Sequence, residues 1–352
     1  MNEQPRSAKP TIHISSAAAA VSAAPTSSLD LILRTTGGYC VARSLHVAAD
    51  LGVADFIDDA PVSIADVARR LAVDGDALGR ILKLLSAHGI FSVSDATVSH
   101  SDASWTLRSN HPQSTRDLAR MFGLPFFWQT FEALDHSVRT GAPAAAKVHP
   151  GGLWAWLAER PDASAVFNGA MTGKSFGQIE GVITSYDFSQ FGRIADIGGG
   201  RGHLLQAILQ KWPQTAGVLF EQPHVIDEVI DIASDRLKLV AGDFFAGNLP
   251  PADAFILMEV IHDWTDDESV KILESIRDAA PKGSRLLLVE QLMPETPGPD
   301  WVKMLDVHMM ALFAARQRSA GEYDRLVEQC GFDRRGAIDT AAGISILEYE
   351  RV

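Results

Sequence analysis

Short, fully apolar runs alternate with amphipathic segments in the C-terminal half of the chain. A run that is apolar at nearly every position predicts a strand buried on both faces, and strands alternating with helices predict a doubly wound parallel sheet of the Rossmann-like α/β class. Two later β segments, Gly331–Ala337 and Gly343–Glu350, are expected to close one edge of the sheet as a hairpin. The five predicted parallel strands are Ile194–Ile197, Gly217–Phe220, Leu237–Val240, Ala254–Leu257 and Leu286–Val289.

The N-terminal part of the chain has a different periodicity. Apolar residues recur at helical spacing in residues 44–52, 64–71 and 78–85, which predicts short helices. Gly89–Val93 and Ala103–Leu107 have the pattern of two wing strands. Together these segments predict a mostly helical winged helix-turn-helix domain.

A winged helix often binds DNA, but the charge of this domain opposes that function. Residues 29–109 contain 7 Lys and Arg against 10 Asp. The candidate recognition helix, Asp76–Ala87, carries only Arg80 and Lys83 as basic residues. We therefore interpret the segment as a dimerisation domain, with a ligand-sensing, DNA-binding regulator as the alternative.

Length and composition divide the chain further. With 352 residues it is about twice as long as the commonest single domain, which favours two cores. Residues 1–28 are rich in Ala, Ser and Pro and predict a flexible tail. The expected order after the tail is the winged-helix domain at 29–110, a helical, aromatic-rich linker at 111–186 and the α/β domain at 187–352.

The charge and the cysteines restrict the class of protein. There are 44 acidic and 31 basic residues, for a net charge of −13, which repels nucleic acid and anionic lipid. We find no apolar run long enough for a membrane span, so we expect no membrane partner. Cys40 and Cys330 lie outside any disulfide or zinc spacing, which favours a cytoplasmic protein.

A glycine-rich turn directly after the first predicted strand is the strongest motif. In Asp196-Ile197-Gly198-Gly199-Gly200-Arg201-Gly202 the glycines permit a tight turn and a close approach of the backbone to a ligand. We single out Gly198, Gly200 and Gly202 for that role. Glu221 ends the second predicted strand, where a carboxylate can accept hydrogen bonds from both hydroxyls of a ribose. The pair of motifs predicts a nucleoside site.

The acidic residues favour a cationic nucleoside over a dinucleotide. Asp196 lies two residues before the first glycine, where a carboxylate would repel a pyrophosphate but would attract an ammonium group. Asp243 and Phe244 follow the third predicted strand and suit the amine and the ring face of adenine. S-adenosylmethionine carries all of these groups, so we expect it as the cofactor.

A histidine lies at the end of the fourth predicted strand. The strand order of a doubly wound sheet reverses between its first and fourth strands, so His262 and the glycine turn should border one crevice. Asp263 follows His262, and Glu290 ends the fifth predicted strand at the same edge. A histidine with carboxylates in reach is a candidate general base.

With these motifs the chain resembles the S-adenosylmethionine-dependent small-molecule O-methyltransferases, a family that includes plant caffeate-type enzymes and bacterial enzymes for phenazines, mitomycins and anthracyclines. The matching segments are 196–202, 221–226, 242–245, 262–264 and Phe167-Asn168-Gly169-Ala170-Met171. The resemblance implies an enzyme (EC 2.1.1.-) that forms S-adenosylhomocysteine and works as a homodimer through its N-terminal domain. It also implies that residues 111–186 cover a substrate pocket.

The resemblance assigns roles to individual residues. His262 would be the base, with Glu290 and Asp263 as flanking carboxylates. Trp264 would stack near the adenine and Ser175 would contact the methionine end of the cofactor. Two departures from the family pattern concern this site: Met258 stands where the family often has Lys, and Gln317 replaces a second carboxylate that usually brackets the base. An amide can still hold the imidazole by a hydrogen bond.

The resemblance implies that the acceptor is a planar aromatic natural product with a hydroxyl group, foremost a hydroxylated phenazine. Apolar and aromatic residues at helical spacing are candidates for the pocket wall, and a metal is not indicated because no ligand cluster has metal-site spacing. A hydroxylase of the same fold that binds S-adenosylmethionine is a second alternative. The pocket candidates are Phe167, Met171, Met309 and Phe313.

Overall fold

The computed structural model describes residues 27–352, which divide into two compact units at Gly123 and Leu124. The tail predicted for residues 1–28 therefore lies outside the described residues except for Ser27 and Ser28. Ser27 caps the first helix by accepting a hydrogen bond from the Asp30 amide, and Ser28 begins that helix.

The N-terminal unit combines helices with a small antiparallel sheet in the order β1-β3-β2. A 3-10 turn at Val53–Phe56 follows the first helix. The elements are α1 (Ser28–Leu51), β1 (Val62–Ser63), α2 (Ile64–Leu71), α3 (Gly75–Ser86), β2 (Ser92–Ser94), β3 (Thr97–Ser99), α4 (Asp102–Trp105) and α5 (Arg116–Phe122).

The core of this unit confirms the helical pattern of the sequence. Val67 of α2 and Leu78, Leu82 and Leu85 of α3 are buried at 0–3% exposure, together with Val98 of β3. Leu78, Leu82 and Leu85 recur every three or four residues on α3, so one apolar face of this helix packs with Val67 and Val98 in a single core.

The second wing strand, predicted at Ala103–Leu107, is wrong. The wing is the tight hairpin of β2 and β3, in which Ser94 pairs with Thr97 across a two-residue turn. Residues 102–105 form α4 instead, because Ser101 and Ser104 make a reciprocal capping box at its start. This local capping outweighs the strand preference of Trp and Thr.

The C-terminal unit begins with helices and continues as an α/β sheet. Short 3-10 turns lie at Phe188–Gln190, Ile230–Ile232 and Ile261–Asp263. The helices before the sheet are α6 (Pro125–Glu132), α7 (Leu134–Thr140), α8 (Ala144–Val148), α9 (Gly152–Ala158) and α10 (Pro161–Ser185). The remaining elements are β4 (Arg193–Ile197), α11 (His203–Lys211), β5 (Ala216–Glu221), α12 (Pro223–Glu228), β6 (Leu237–Ala241), β7 (Ala254–Met258), α13 (Asp266–Ala279), β8 (Arg285–Glu290), α14 (Trp301–Phe313), α15 (Ala320–Glu328), β9 (Phe332–Asp339) and β10 (Ser345–Arg351).

The sheet has the predicted doubly wound form. Its order is β6-β5-β4-β7-β8-β10-β9, with the first five strands parallel and the final pair antiparallel, as expected for a closing hairpin. The order reverses between β4 and β7, so the loops that leave these two strands border one crevice.

Both faces of the sheet are buried, which explains the continuous apolar runs. Phe255 and Leu257 of β7 pack in the cluster with α13 and α15, whereas Ala254 and Ile256 pack with α10 and α11. Successive side chains point to opposite faces, so alternate residues of one strand fill two separate cores. Within residues 27–352, no helix has both the length and the hydropathy that a membrane span requires.

Candidate active site

The glycine turn after β4 has the backbone conformation that its sequence predicts. Gly198, Gly200 and Gly202 have φ values of 69°, 55° and 72°, in the left-handed region that favours glycine. A Cβ on Gly199 would overlap the carboxyl group of Asp196, so the turn passes directly over that side chain. Gly202 is the N-cap residue of α11.

Two carboxyl groups lie against this turn. Glu221, at the end of β5, accepts hydrogen bonds from the amides of Gly200 at 3.1 Å and Gln222 at 2.7 Å. Asp196 is 1% exposed, and neither of its carboxyl oxygens has a hydrogen-bond partner among residues 27–352. Burial, assisted by the negative charge of Glu221, raises the pKa of Asp196 to about 7. A nearby positive charge would stabilise the ionised form of this unpaired carboxyl group.

Three aromatic side chains form a cluster beside the turn. The ring of Phe244 contacts those of Phe245 and Trp264 edge to face, with centroids 4.9 and 5.7 Å apart, and Phe245 and Trp264 are 4.8 Å apart. Asp243 orders this segment by accepting a hydrogen bond from the Phe245 amide. The structure thus brings together Asp243, Phe244 and Trp264 of the predicted cofactor site.

His262 lies in the 3-10 turn that follows β7 and is 6% exposed. Its Nδ1 is 2.7 Å from Nε2 of Gln317, so the hydrogen bond expected of the substituted amide is present. Its Nε2 is 3.4 Å from a carboxylate oxygen of Asp263. Burial lowers the pKa of His262, but the negative charges of Glu290, Asp263 and Glu259 outweigh burial and raise it above its ordinary value.

The backbone around His262 is held from two sides. Arg318 is 0% exposed and donates hydrogen bonds to the carbonyl oxygens of Ile261 and Trp264 and to the carboxylate of Asp266. Glu290, at the end of β8, accepts a hydrogen bond from the Ile261 amide at 3.0 Å. The loop that carries His262 is therefore fixed in position.

Glu290 itself is fully buried. One of its carboxyl oxygens accepts from Ile261, and the other has no hydrogen-bond partner within the described part of the chain. Burial raises the pKa of Glu290 to about 7, although the nearby His262 acts in the opposite direction. Burial thus raises the pKa of Glu290 to about the same value as that of Asp196.

A polar cluster around Glu259 was missed by the sequence reasoning. One carboxylate oxygen of Glu259 accepts from Lys174 at 2.6 Å, Gln178 at 3.3 Å and Gln291 at 2.6 Å. Burial would raise the pKa of Glu259, but Lys174 and His262 hold it at about 2. The Lys that the family often has at position 258 is replaced by Met, and the ammonium of Lys174 lies beside the next residue.

The signal for this cluster is weak in the sequence. Glu259 has a φ of 51°, which only the fold reveals, and Lys174 is 85 residues away. Its neighbour Ser175 donates a hydrogen bond to the Met171 carbonyl on its own helix, α10. The structure therefore shows no bond from Ser175 to the glycine turn or to His262.

Only some of the candidate pocket residues lie close to one another. Phe167 meets the exposed Trp154 edge to face at 5.5 Å between centroids, and Phe313 stacks on Trp154 at 6.3 Å. Met309 is buried and packs with Phe313. We call Trp154, Phe167 and Phe313 the aromatic slot; Met171 lies one helical turn after Phe167.

No group of three or more His, Cys, Asp or Glu side chains within residues 27–352 has the arrangement of a metal site. The crevice combines a glycine turn, buried carboxyl groups and a histidine whose Nδ1 is hydrogen-bonded to Gln317 and whose Nε2 lies 3.4 Å from Asp263. This arrangement can bind a cationic nucleoside and can move a proton at His262.

The chain matches known proteins over most of its length. Residues 131–333 match the O-methyltransferase domain, and residues 33–110 match the O-methyltransferase dimerisation domain. Phenazine O-methyltransferase PhzM of Lysobacter antibioticus is 37% identical over 332 residues, which cover 93% of this chain and 96% of that protein. The mitomycin biosynthesis 6-O-methyltransferase of Streptomyces lavendulae is 32% identical and covers 89% and 92% of the two chains.

The solved structures agree with these matches. The crystal structure of CalO1, a methyltransferase in calicheamicin biosynthesis in its SAH-bound form, superposes with a TM-score of 0.86 at 29% identity, covering 92% of this chain and 98% of that chain. The domain match spans more than half of the chain, and the sequence identity to PhzM extends across both units. The chain therefore belongs to the family of S-adenosylmethionine-dependent small-molecule O-methyltransferases and carries the dimerisation domain of that family at its N-terminus.

Proposed function

We propose that this enzyme methylates a hydroxyl group of a planar aromatic natural product and that His262 is the general base. The observation that carries the proposal is the buried imidazole between Asp263 and Gln317, on a loop that Arg318 and Glu290 hold at the switch point of the sheet. A base must be placed accurately before its pKa matters, and this loop meets that requirement.

S-adenosylmethionine fits the residues of the crevice. Asp196 has two buried carboxyl oxygens without partners among the described residues, which suits a ligand that carries positive charge. When bound, the cofactor supplies a methyl group on a positively charged sulfur. Glu221 would hold the ribose and Asp243, Phe244 and Trp264 the adenine. Gly198, Gly200 and Gly202 would let the backbone approach the cofactor, and Ser175 would hold its methionine end.

His262 would remove the proton from the hydroxyl group of the methyl acceptor. A phenol with a pKa near 10 is only about one part in 10³ ionised at neutral pH, so removal of its proton exposes a far better nucleophile. The imidazole can take that proton, and Asp263 and Glu290 stabilise the resulting positive charge. The acceptor oxygen then attacks the methyl carbon in line with the bond to sulfur that breaks.

The aromatic slot supports a flat acceptor. Trp154, Phe167 and Phe313 present ring faces and edges in one place, and such side chains bind planar rings by offset or edge contacts. Two relatives are named for a phenazine and a mitomycin. We propose a hydroxylated phenazine as the foremost acceptor.

We further propose that the enzyme works as a homodimer in the cytoplasm. The match of residues 33–110 to the dimerisation domain supports association through the N-terminal unit. Leu29, Leu31, Ile32 and Leu33 are exposed on α1 and offer apolar surface for a second copy. The exposed thiol of Cys40 fits a reducing compartment.

The direct test is a panel of acceptors with methyl-labelled S-adenosylmethionine. The panel would contain hydroxylated phenazines, hydroxyquinones and single-ring phenols, and both labelled product and S-adenosylhomocysteine would be measured. We expect equal amounts of the two, with the highest kcat/KM for a fused-ring acceptor. Product hydroxylation without S-adenosylhomocysteine would favour the hydroxylase alternative, and a preference for single-ring phenols would contradict the proposed substrate class.

A further inference from the structure

The amide of Gln317 faces the imidazole of His262 in an orientation with a chemical consequence. Its Nε2 is 2.7 Å from Nδ1 of the ring, while its Oε1 is buried without a hydrogen-bond partner in the part of the chain that the structure describes. The backbone of Gln317 is fixed, since its amide donates to Asp306 at 2.8 Å. The side-chain amide can therefore change its orientation while the backbone stays in place.

The orientation of this amide decides which ring nitrogen of His262 carries the proton. When Nε2 of Gln317 donates, Nδ1 must accept, so the ring proton of the neutral imidazole lies on its Nε2, toward Asp263. That nitrogen then has no lone pair for an acceptor proton. After half a turn of the amide, Oε1 of Gln317 accepts from Nδ1–H, and the Nε2 lone pair of the ring is free.

We propose that Gln317 is a positioning residue that switches His262 between a resting tautomer and a reactive one. The inference rests on the proposed role of His262 as base. In the reactive tautomer the acceptor hydroxyl gives its proton to Nε2 of the ring, its oxygen forms the bond to the methyl carbon, and the electron pair of the breaking bond stays on sulfur. Oε1 of Gln317 holds Nδ1–H throughout, and the ring later releases the proton from Nε2 to water.

A carboxylate at position 317 could not do this. It only accepts hydrogen bonds, so it would hold Nδ1–H permanently and would add negative charge beside the ring. His262 already faces the negative charges of Glu290, Asp263 and Glu259, and the positive charge of Lys174 opposes them. The neutral amide therefore gives a second tautomer and limits the stabilisation of the imidazolium.

The test reads the tautomer directly by NMR on protein with ¹⁵N-labelled histidine. Long-range ¹H–¹⁵N correlations distinguish a protonated ring nitrogen from an unprotonated one, and the His262→Ala protein identifies the His262 signals. In the wild type at a pH where the ring is neutral, we expect both tautomers in exchange. In Gln317→Glu we expect Nδ1–H alone.

Kinetics and a matched variant complete the test. In Gln317→Glu, the acid limb of the kcat/KM profile should move to higher pH by about one unit, because a carboxylate favours the charged ring. Gln317→Met fills similar space but makes no hydrogen bond to the ring. We expect this variant to lose the Nδ1–H tautomer and at least tenfold in kcat. Its melting temperature, compared with that of the wild type, shows whether it is folded. A single tautomer shared by the wild type and Gln317→Glu, or an unmoved acid limb, would overturn the inference.

The two proposals can fail separately. The turnover rate of His262→Ala tests whether His262 is the base. The NMR measurement of the ring tautomer is made without substrate and does not depend on turnover. An active His262→Ala enzyme would remove the base and with it the catalytic meaning of the switch. An inactive His262→Ala enzyme, together with a single His262 tautomer shared by the wild type and Gln317→Glu, would remove only the role of Gln317.

Discussion

The guanidinium of Arg318 is fully buried and donates a hydrogen bond of 2.9 Å to the carbonyl oxygen of Ile261, the residue before His262. A second bond of 2.8 Å reaches the carbonyl of Trp264, so one side chain spans the turn that carries the histidine. Arg is suited to this position because its planar fork presents several donors at once. The position of His262 thus depends on a residue more than fifty positions away in the chain.

We predict that Arg318→Lys lowers stability and turnover together. Lys cannot reach both carbonyl groups, and a buried acceptor left without a partner costs about 1–3 kcal/mol. We expect a loss of about 2 kcal/mol in the free energy of unfolding, measured with urea, and a fall in kcat that exceeds any change in cofactor affinity.

Arg316→Lys is the matched control for that substitution. Arg316 is two residues earlier in the chain, with a side chain that is 52% exposed and pairs with Glu322. An exposed ion pair contributes at most about 1 kcal/mol, so this variant should resemble the wild type. Equal losses in the two variants would show that Arg318 does not hold the turn.

We predict that His262→Ala lowers kcat by about 10²–10⁴, the usual contribution of a positioned general base. The affinity for S-adenosylmethionine, measured by calorimetry, should change little, because no cofactor-holding role is proposed for this ring. The loss should shrink for acceptors of lower pKa, which are ionised without help. Turnover that is unchanged for an ordinary phenol would exclude His262 as the base.

The wild-type pH profile provides a second measurement on the same residue. The imidazole accepts a proton only when it is neutral, so activity should fall as the pH decreases through its pKa. Because the surrounding carboxylates raise the pKa of His262, the fall should begin above 6.5. His224→Ala is the control, since His224 is exposed on α12, and its profile should match the wild type.

The glycine turn and the sheet could be predicted from the sequence because their causes are local. A strand buried on both faces must be apolar throughout, and a turn with positive φ at Gly198, Gly200 and Gly202 excludes most other residues. The second wing strand failed for a local reason too, since the capping box of Ser101 and Ser104 is invisible to an apolar pattern.

The partners of the site residues could be predicted only in part. Lys174 reaches Glu259 because α10 packs against the sheet, and spacing along the chain carries no record of such a contact. The pairing of His262 with Gln317, across 55 positions, was expected only from the family resemblance. Sequence therefore indicated which residue types carry the chemistry, while packing decides which of them meet.

We predict that Asp196→Asn flattens the pH dependence of stability. The folded protein raises the pKa of Asp196 from 3.8 to about 7, so between these values the folded state binds more protons than the unfolded one. Without cofactor, the free energy of unfolding should therefore decrease as the pH rises from about 4 to about 7. Asn has nearly the same shape and does not titrate, so its slope should be smaller.

Urea unfolding at several pH values between 5 and 7.5 would measure this slope. Part of it should persist in Asp196→Asn, because burial also raises the pKa of Glu290 to about 7. The same variant should bind S-adenosylmethionine more weakly, since it lacks the charge that attracts a cationic ligand. Wild-type slope and wild-type affinity in Asp196→Asn would contradict the role proposed for this carboxyl group.

We predict that Trp154→Ala weakens binding of the acceptor without disturbing the fold. Trp154 is 62% exposed, so its removal leaves no large cavity, but its ring touches those of Phe167 and Phe313. An aromatic contact contributes about 0.5–1.5 kcal/mol, which corresponds to a rise of roughly twofold to tenfold in the KM for a fused-ring acceptor. The KM for S-adenosylmethionine should stay constant. The KM for a single-ring phenol should rise less than that for a phenazine, because the smaller ring covers less of the slot.

Trp301→Ala, which removes another exposed ring of the same unit at the start of α14, is the matched control. If both Trp variants raise the KM equally, or if Trp154→Ala leaves it unchanged, the aromatic slot is not where the acceptor binds.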